Sequence, residues 1–254
     1  MAINAWKSND DSLSFMFSFS PCSYFNFVMH FTLYFSMQPN NFRTIVQSLI
    51  MEVKENKVDI GGKSVYYISY ERGNMRNFIL LHDSTTTSNS WAGIDALRKI
   101  GQWGFNVYAP DFPGFGNSEA NDSYNFGSSP SKGALFIKDF AESLFLSSIN
   151  VVGPSVSAGV ALKSLIDYPE LINSSIIIGG LGVDHILNEL NRIDKPVLIL
   201  WGSRDNVVPV SHGLRYHDLI PSSTFVKING AGHCVQIEKP DIFFNNIKKF
   251  ITNL

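Results

Sequence analysis

The sequence has little cysteine and no cluster of basic residues. Its 254 residues include two cysteines, Cys22 and Cys234, too few for a disulfide framework or a cysteine metal cluster. This suits a reducing compartment, and we expect a cytoplasmic location, no metal and no cofactor. The net charge is −2 and no lysine or arginine run occurs, so the chain lacks the basic face that nucleic-acid binding needs. Hydrophobic residues make up 44 %, enough for a sizeable core.

Charged side chains are absent from a long segment near the start of the chain. Residues 12–42 contain no Asp, Glu, Lys or Arg, and seven phenylalanines fall between Phe15 and Phe35. About 20 apolar residues can span a bilayer, yet Pro21 and several polar residues interrupt this run, and no basic region typical of a signal peptide precedes it. Three interpretations of residues 1–50 stay open: a disordered or non-native extension, a membrane anchor, and a packed extension. Membrane binding would require the anchor. We expect the functional domain to comprise residues 51–254.

After Met51 the hydrophobic pattern alternates between strands and helices. Short apolar or β-branched runs predict strands, and apolar residues spaced three or four apart predict helices. The predicted strands are 63–70, 77–81, 106–109, 149–152, 175–178, 196–201 and 224–228. The predicted helices are 90–102, 156–167, 240–251 and one that begins at Pro130. This order predicts an α/β fold in which helices cover both faces of a mostly parallel sheet.

A serine lies on a sharp turn between a predicted strand and a predicted helix. The turn reads Gly153-Pro154-Ser155-Val156-Ser157. Ligands of parallel sheets bind at the carboxyl ends of the strands, so the side chain at the apex would face a cleft. A serine nucleophile needs a base to take its proton, and the developing oxyanion needs N–H donors such as that of Val156. Ser155 alone is equally explained as a helix N-cap.

The neighbouring Ser157 offers an alternative apex for the same turn. Small residues also flank Ser157 on both sides. In that register the helix would start two residues later, and Ala161 and Leu162 would leave the helix face that packs on the sheet. The pattern therefore favours Ser155 as the residue at the apex.

An acid and a histidine follow the last two predicted strands. The segment 201–205 ends in Asp205, and the segment 230–233 ends in His233 between small residues. A serine nucleophile requires a histidine that takes a proton and a carboxylate that orients the histidine. Taken singly, Asp205 also fits a helix cap and His233 a loop histidine without a partner. Their occurrence at one sheet edge, in the order Ser155, Asp205, His233, favours a catalytic triad.

At this point the chain from about residue 57 to 254 resembles the α/β-hydrolase family. The resemblance is carried by LLHDSTTTSNSW (80–91), DFPGFGNS (111–118), VVGPSVSAGVAL (151–162), WGSRDNVVP (201–209) and GAGHCVQIEKP (230–240). Pro154 and Ser157 are also similar to the α/β-hydrolase domain-containing protein 14 subgroup. The resemblance implies roles for five residues: nucleophile Ser155, orienting acid Asp205, base His233, and oxyanion donors in the N–H groups of Val156 and Ser84.

Two positions depart from the family pattern, since Asp83 and Ser157 stand where the family usually has glycine. A carboxylate at position 83 that faced the oxyanion would oppose the forming negative charge. We therefore expect Asp83 to face away, held by its neighbours. His82 is expected to shape its loop by hydrogen bonding, not to act as a base.

The segment between two of the late strands indicates an open site. Many relatives insert a helical cap there, but Gly179–Lys195 has room for one short helix at Val183–Arg192. The loop 111–129 is expected to form one wall of the cleft. The leading hypothesis is a cofactor-free serine hydrolase that cleaves a small-molecule ester or related acyl bond through an acyl-enzyme. Transfer of the acyl group to another acceptor, and a binding protein with an idle site, are the alternatives.

Overall fold

The computed structural model describes residues 2–7, 13–18, 52–73, 75–125 and 129–254. The chain divides into two units, residues 1–50 and residues 51–254. In the first, strands β1 (Ala2–Lys7) and β2 (Leu13–Ser18) pair antiparallel. The interpretations offered for residues 1–50 fall mainly outside the described residues and stay predictions. None of the helices in the described ranges has the length and hydropathy required to span a membrane.

A single eight-stranded sheet organises residues 51–254. Its strands are β3 (Lys54–Ile60), β4 (Lys63–Tyr70), β5 (Asn77–Leu80), β6 (Asn106–Pro110), β7 (Ile149–Pro154), β8 (Ile172–Ile178), β9 (Val197–Gly202) and β10 (Ser223–Ile228). Their spatial order is β10-β9-β8-β7-β5-β6-β4-β3. Strand β4 runs opposite to the other seven. The predicted α/β fold with a mostly parallel sheet is confirmed.

Helices cover both faces of this sheet. They are α1 (Asn89–Gly93), α2 (Ala96–Gly101), α3 (Pro130–Ser143), α4 (Ser157–Asp167), α5 (Val210–Leu219), α6 (Val235–Glu238) and α7 (Pro240–Thr252), with short 3-10 segments at Asp122–Tyr124 and Val183–Arg192. Successive strand residues point to opposite faces. Ile79 therefore packs in the cluster that contains Phe140 of α3, and Phe78 packs in the cluster that contains Phe243 of α7.

The structure differs from the sequence prediction at several elements. The predicted helix 90–102 is two helices, because Asp95 between them has a left-handed φ of 55°. Strand β3 and helix α5 were not predicted. Strand β3 is a sheet-edge strand with mostly exposed side chains, and α5 buries only Gly213 and Tyr216, so neither has a strong apolar period. The two-residue turn before β4, Gly61-Gly62, has positive φ at both residues, as a tight hairpin requires.

The segment Gly179–Lys195, which the structure describes in full, forms no separate cap. It contains the 3-10 segment Val183–Arg192, which is kinked at Ile186. Its attachment to α4 includes Lys163, whose Nζ lies 2.8 Å from Glu189. Burial lowers the pKa of Lys163, but the hydrogen bonds to Glu189 and Asp167 outweigh it and the pKa is raised. The charged pair therefore holds this short segment down beside the helix that follows Ser155.

Candidate active site

Ser155 lies between β7 and α4 in a strained backbone conformation. Its φ is 51°, a left-handed value that costs a non-glycine residue about 1–3 kcal/mol. The Ser155 N–H donates to the Ile178 carbonyl at 2.9 Å. The Ser155 carbonyl accepts from the N–H groups of Ala158 at 3.0 Å and Leu181 at 2.9 Å. These three bonds hold the turn in the strained form and tie it to the end of β8.

The residues around this turn leave Ser155, not Ser157, at the apex. A Cβ on Gly153 would overlap the Ser157 carbonyl, so the position two before Ser155 admits no side chain. Ser157 is fully buried, and its Oγ donates to the His82 carbonyl. Ser155 itself is half-buried. The Ser157 hydroxyl, at the position where the family usually has glycine, is thus used in a buried hydrogen bond. The Ser155 hydroxyl remains available to the cleft.

Asp205 and His233 form a hydrogen-bonded pair. Asp205 Oδ2 lies 2.8 Å from His233 Nδ1, and the Asp205 side chain is completely buried. Asp205 Oδ1 accepts the N–H groups of Val207 and Val208, each at 2.9 Å. The carboxylate is therefore fixed from both oxygens. A carboxylate facing Nδ1 keeps the proton on that nitrogen and leaves Nε2 of a neutral histidine as a proton acceptor.

The loops after β9 and β10, which carry Asp205 and His233, are hydrogen-bonded to each other and closely packed. The Arg204 N–H donates to the Ala231 carbonyl at 2.9 Å. Gly202 passes so close to Gly232 that any Cβ on it would overlap the Gly232 carbonyl. Because β9 and β10 are adjacent parallel strands, their loops leave the sheet at the same edge. The acid and the histidine are brought together by this packing.

Gly179 joins the serine turn to the histidine–aspartate pair. It follows β8 with a φ of 53°, and a Cβ at this position would lie 2.9 Å from His233 Nδ1 and 3.2 Å from Asp205 Oδ2. The preceding residue, Ile178, is the acceptor of the Ser155 N–H. The three predicted triad residues are thus grouped around one glycine. Sequence reasoning missed Gly179, although a glycine pair directly after a buried strand was a usable signal.

The two predicted oxyanion donors lie on the loops after β5 and β7. Among the residues that the structure describes, neither the Val156 N–H nor the Ser84 N–H donates a hydrogen bond. Val156 is the N-cap of α4, where free N–H groups attract negative charge. Asp83 Oδ1 accepts both the N–H and the Oγ1 of Thr85, each at 2.7 Å. The carboxylate is held by its neighbour, as expected from the sequence.

His82 braces the loop after β5. Its ring is buried, with Nε2 accepting the Phe112 N–H at 2.9 Å and Nδ1 donating to the Asp83 carbonyl at 2.6 Å. Burial lowers the pKa of His82, and this outweighs the opposing effects of the Asp83 hydrogen bond and of the Asp111 and Asp83 charges. Both ring nitrogens are used structurally, which agrees with a role in shaping the loop.

The lowered pKa of His82 predicts that the protein loses stability on acidification. Below about pH 6.5 the unfolded histidine binds a proton that the folded one does not, so the unfolded state is favoured. The free energy of unfolding should fall by up to about 1.4 kcal/mol per pH unit until the lowered folded pKa is reached. Urea unfolding at pH 7.5 and 5.5 measures this. His82→Gln, which keeps an acceptor for Phe112, should show a smaller pH dependence, and equal dependences would contradict the prediction.

Cys234, the residue after His233, is a half-buried free thiol. Burial raises its pKa, and the charges of Asp83, Glu238 and Asp205 raise it further. The thiol therefore stays protonated at neutral pH, where only the thiolate is a strong nucleophile. Cys234 is therefore not expected to compete with Ser155 as the nucleophile.

A large cavity lies elsewhere, at the amino ends of the strands. Its volume is about 960 Å³, and its lining includes Arg76, Asn150 and Lys195, which lie just before or at the start of β5, β7 and β9. The candidate triad lies at the opposite, carboxyl edge, so the cavity has no part in its chemistry. In the described ranges no group of three or more His, Cys, Asp or Glu side chains is arranged to hold a metal ion.

Comparisons with known proteins agree with this architecture. Residues 182–240 match a family model described as the α/β-hydrolase fold. The chain is 25 % identical to the putative protein-lysine deacylase ABHD14B of Rattus norvegicus over 80 % of this chain and 98 % of that protein. It is 30 % identical to protein ABHD14A of Danio rerio over 69 % of this chain and 64 % of that protein. A predicted CIB-like hydrolase from Thermoplasma acidophilum superposes with a TM-score of 0.77 at 29 % identity, covering 80 % of this chain and 100 % of that one.

The fold, the serine turn and these relatives define a hydrolase of α/β architecture. The chain has the α/β-hydrolase fold. It is similar to the ABHD14 proteins, as the sequence motifs around Ser155 indicated.

Proposed function

We propose that the protein is a serine hydrolase that cleaves a small ester or a related acyl bond. The observation that carries the proposal is the 2.8 Å contact between Asp205 and His233, grouped around Gly179 with the strained Ser155 turn. Strained backbone at a non-glycine residue is typical of functional sites. A buried carboxylate that orients a histidine beside a serine supports acyl transfer.

In the proposed reaction, Ser155 Oγ attacks the acyl carbon while His233 Nε2 takes the hydroxyl proton. The N–H groups of Val156 and Ser84 stabilise the oxyanion. The proton passes from His233 to the leaving group, the bond to that group breaks, and an acyl-enzyme remains on Ser155. Water then attacks the acyl-enzyme with His233 again acting as the base. Asp205 holds the imidazole in the required tautomer and stabilises its protonated form.

Covalent labelling by a fluorophosphonate tests the proposal directly. The probe reacts with a serine only when a base activates it, because a serine hydroxyl is a weak nucleophile at neutral pH. We expect the native protein to gain the mass of one adduct and the heat-denatured protein to gain none. A native protein that stays unlabelled would contradict the proposal and favour a binding protein with an idle site.

Transfer of the acyl group to an acceptor other than water is the second candidate. The relative from Rattus norvegicus is named a putative protein-lysine deacylase, so an acylated lysine is a candidate donor. Added thiols and amines separate the two candidates. If the acyl group is transferred, the added acceptor should become acylated and less free acid should form. If the bond is hydrolysed, free acid should form whether or not an acceptor is added.

The open site predicts a preference for short acyl groups. Burying one methylene contributes about 0.8 kcal/mol, or about a fourfold gain in kcat/KM, but only where a surface encloses it. Gly179–Lys195 forms no cap, and Leu181 within it remains exposed. We expect kcat/KM for p-nitrophenyl esters from acetate to palmitate to level off or decline beyond short chains. A steady rise to the longest chain would reveal an apolar tunnel and contradict the open site.

We propose a reducing, cytoplasmic compartment for the protein. Cys234 is a free thiol, and free thiols persist where glutathione and thioredoxin keep them reduced. Subcellular fractionation tests this location. Recovery of the protein in a membrane or secreted fraction would contradict it.

A further inference from the structure

We propose that Glu238 is a positioning residue for His233. Its carboxylate accepts hydrogen bonds from the backbone N–H groups on both sides of the histidine. The Gly232 nitrogen lies 2.6 Å from Oε2, and the Cys234 nitrogen lies 3.2 Å from Oε1. One side chain therefore holds the two peptide groups that set the direction of the imidazole. The inference rests on the proposed function, because it assigns a role in the same site.

The loop after β10 needs this contact because its backbone–backbone hydrogen bonds in the described structure lie at its two ends. At the start, the Ala231 carbonyl accepts the Arg204 N–H of the neighbouring loop. At the end, the Cys234 carbonyl accepts the N–H groups of residues 237 and 238, each at 2.9 Å, as α6 begins. Among the described residues, the Gly232 and Cys234 N–H groups have Glu238 as their acceptor. Removing the carboxylate would release the backbone around His233 while both ends stay attached.

A glutamate is suited to this position by its charge and its two oxygens. Hydrogen bonds to a carboxylate are shorter and stronger than those between neutral groups. Glutamine keeps one acceptor oxygen, but its NH₂ group would face the second N–H. It can therefore accept only one of the two hydrogen bonds that Glu238 accepts. Glu238 is exposed. Its loss should therefore affect the geometry of the base more than the stability of the fold.

The prediction compares Glu238→Ala and Glu238→Gln with a matched control. Asp59 is also an exposed carboxylate that accepts a backbone N–H, from Gly62 at 3.1 Å, but in the turn between β3 and β4. With p-nitrophenyl acetate, Glu238→Ala should lower kcat on the order of 10- to 100-fold, since small misplacements of a catalytic group have effects of that size. KM and Tm should stay near those of the wild type, Glu238→Gln should be intermediate, and Asp59→Ala should be unaffected.

Amide hydrogen exchange, measured by NMR, tests the positioning role of Glu238 without depending on activity. Glu238→Ala should accelerate exchange at Gly232 and Cys234 and leave the core amides unchanged. Wild-type kcat in Glu238→Ala, or unchanged exchange at the two amides, would overturn the inference. A general rise in exchange with a large fall in Tm would also overturn it, by showing a global structural role. If the wild type neither hydrolyses the ester nor reacts with a fluorophosphonate, the proposed function fails, and the exchange data alone decide whether Glu238 holds the loop.

Discussion

Ser155→Ala is expected to lower kcat by about 10⁴- to 10⁶-fold and to abolish fluorophosphonate labelling. The proposed reaction has no route without the Ser155 hydroxyl, since Ser157 is fully buried and Cys234 remains protonated. The substitution keeps the Cβ and leaves the backbone bonds of the turn intact. Tm should therefore change little. The measurements are ester hydrolysis, adduct mass and thermal unfolding of the same preparation.

Ser157→Ala is the matched control for this prediction. It also removes a serine hydroxyl, two residues further along the chain at the start of α4, but it breaks the buried bond to the His82 carbonyl. An intramolecular hydrogen bond contributes about 0.5–1.5 kcal/mol to stability, so this variant should be less stable yet still labelled at position 155. Mapping of the adduct to Ser157 by mass spectrometry would contradict the assignment of the nucleophile. Loss of labelling in Ser157→Ala alone would do the same.

Asp205→Asn is expected to lower kcat by about 10⁴-fold with the fold retained. The N–H groups of Val207 and Val208 donate to Oδ1, so the amide oxygen must occupy that position. The NH₂ group then faces His233 Nδ1, which has to become an acceptor. The ring proton moves to Nε2, and the nitrogen that should accept the Ser155 proton already carries one.

An exposed aspartate is the control for the change in charge. Asp95 pairs with Arg98 on the surface, between helices α1 and α2. Asp95→Asn should therefore keep full activity. An Asp205→Asn enzyme with wild-type turnover would show that another carboxylate orients the base. Unfolding of that variant would be detected by circular dichroism, and loss of activity would then be attributed only to variants that remain folded.

Much of the fold was predictable because the sequence signals that specify it are local. Strand β4 matches its predicted range, and the helix that begins at Pro130 and the final helix were placed within a residue. Buried parallel strands are short apolar runs, and proline is favoured at the first position of a helix. The edge strand β3 and the polar helix α5 were missed because each buries only one or two of its residues. Their positions depend on the neighbours they pair with.

For the site, the sequence alone predicted which residues would carry the chemistry and in what order. Small residues and strand ends are local features of a sequence. They make it possible to recognise Gly153, the turn that follows it, and the acid and histidine after the last strands. Only the tertiary structure decided what these residues touch. These contacts join residues from different loops or from two ends of one loop: Asp205 with His233, Gly179 with that pair, and Glu238 with the backbone on both sides of His233. Their geometry depends on how β8, β9 and β10 lie side by side. Hydrogen bonds require atoms to meet within a few tenths of an ångström, and residue patterns alone do not carry that precision.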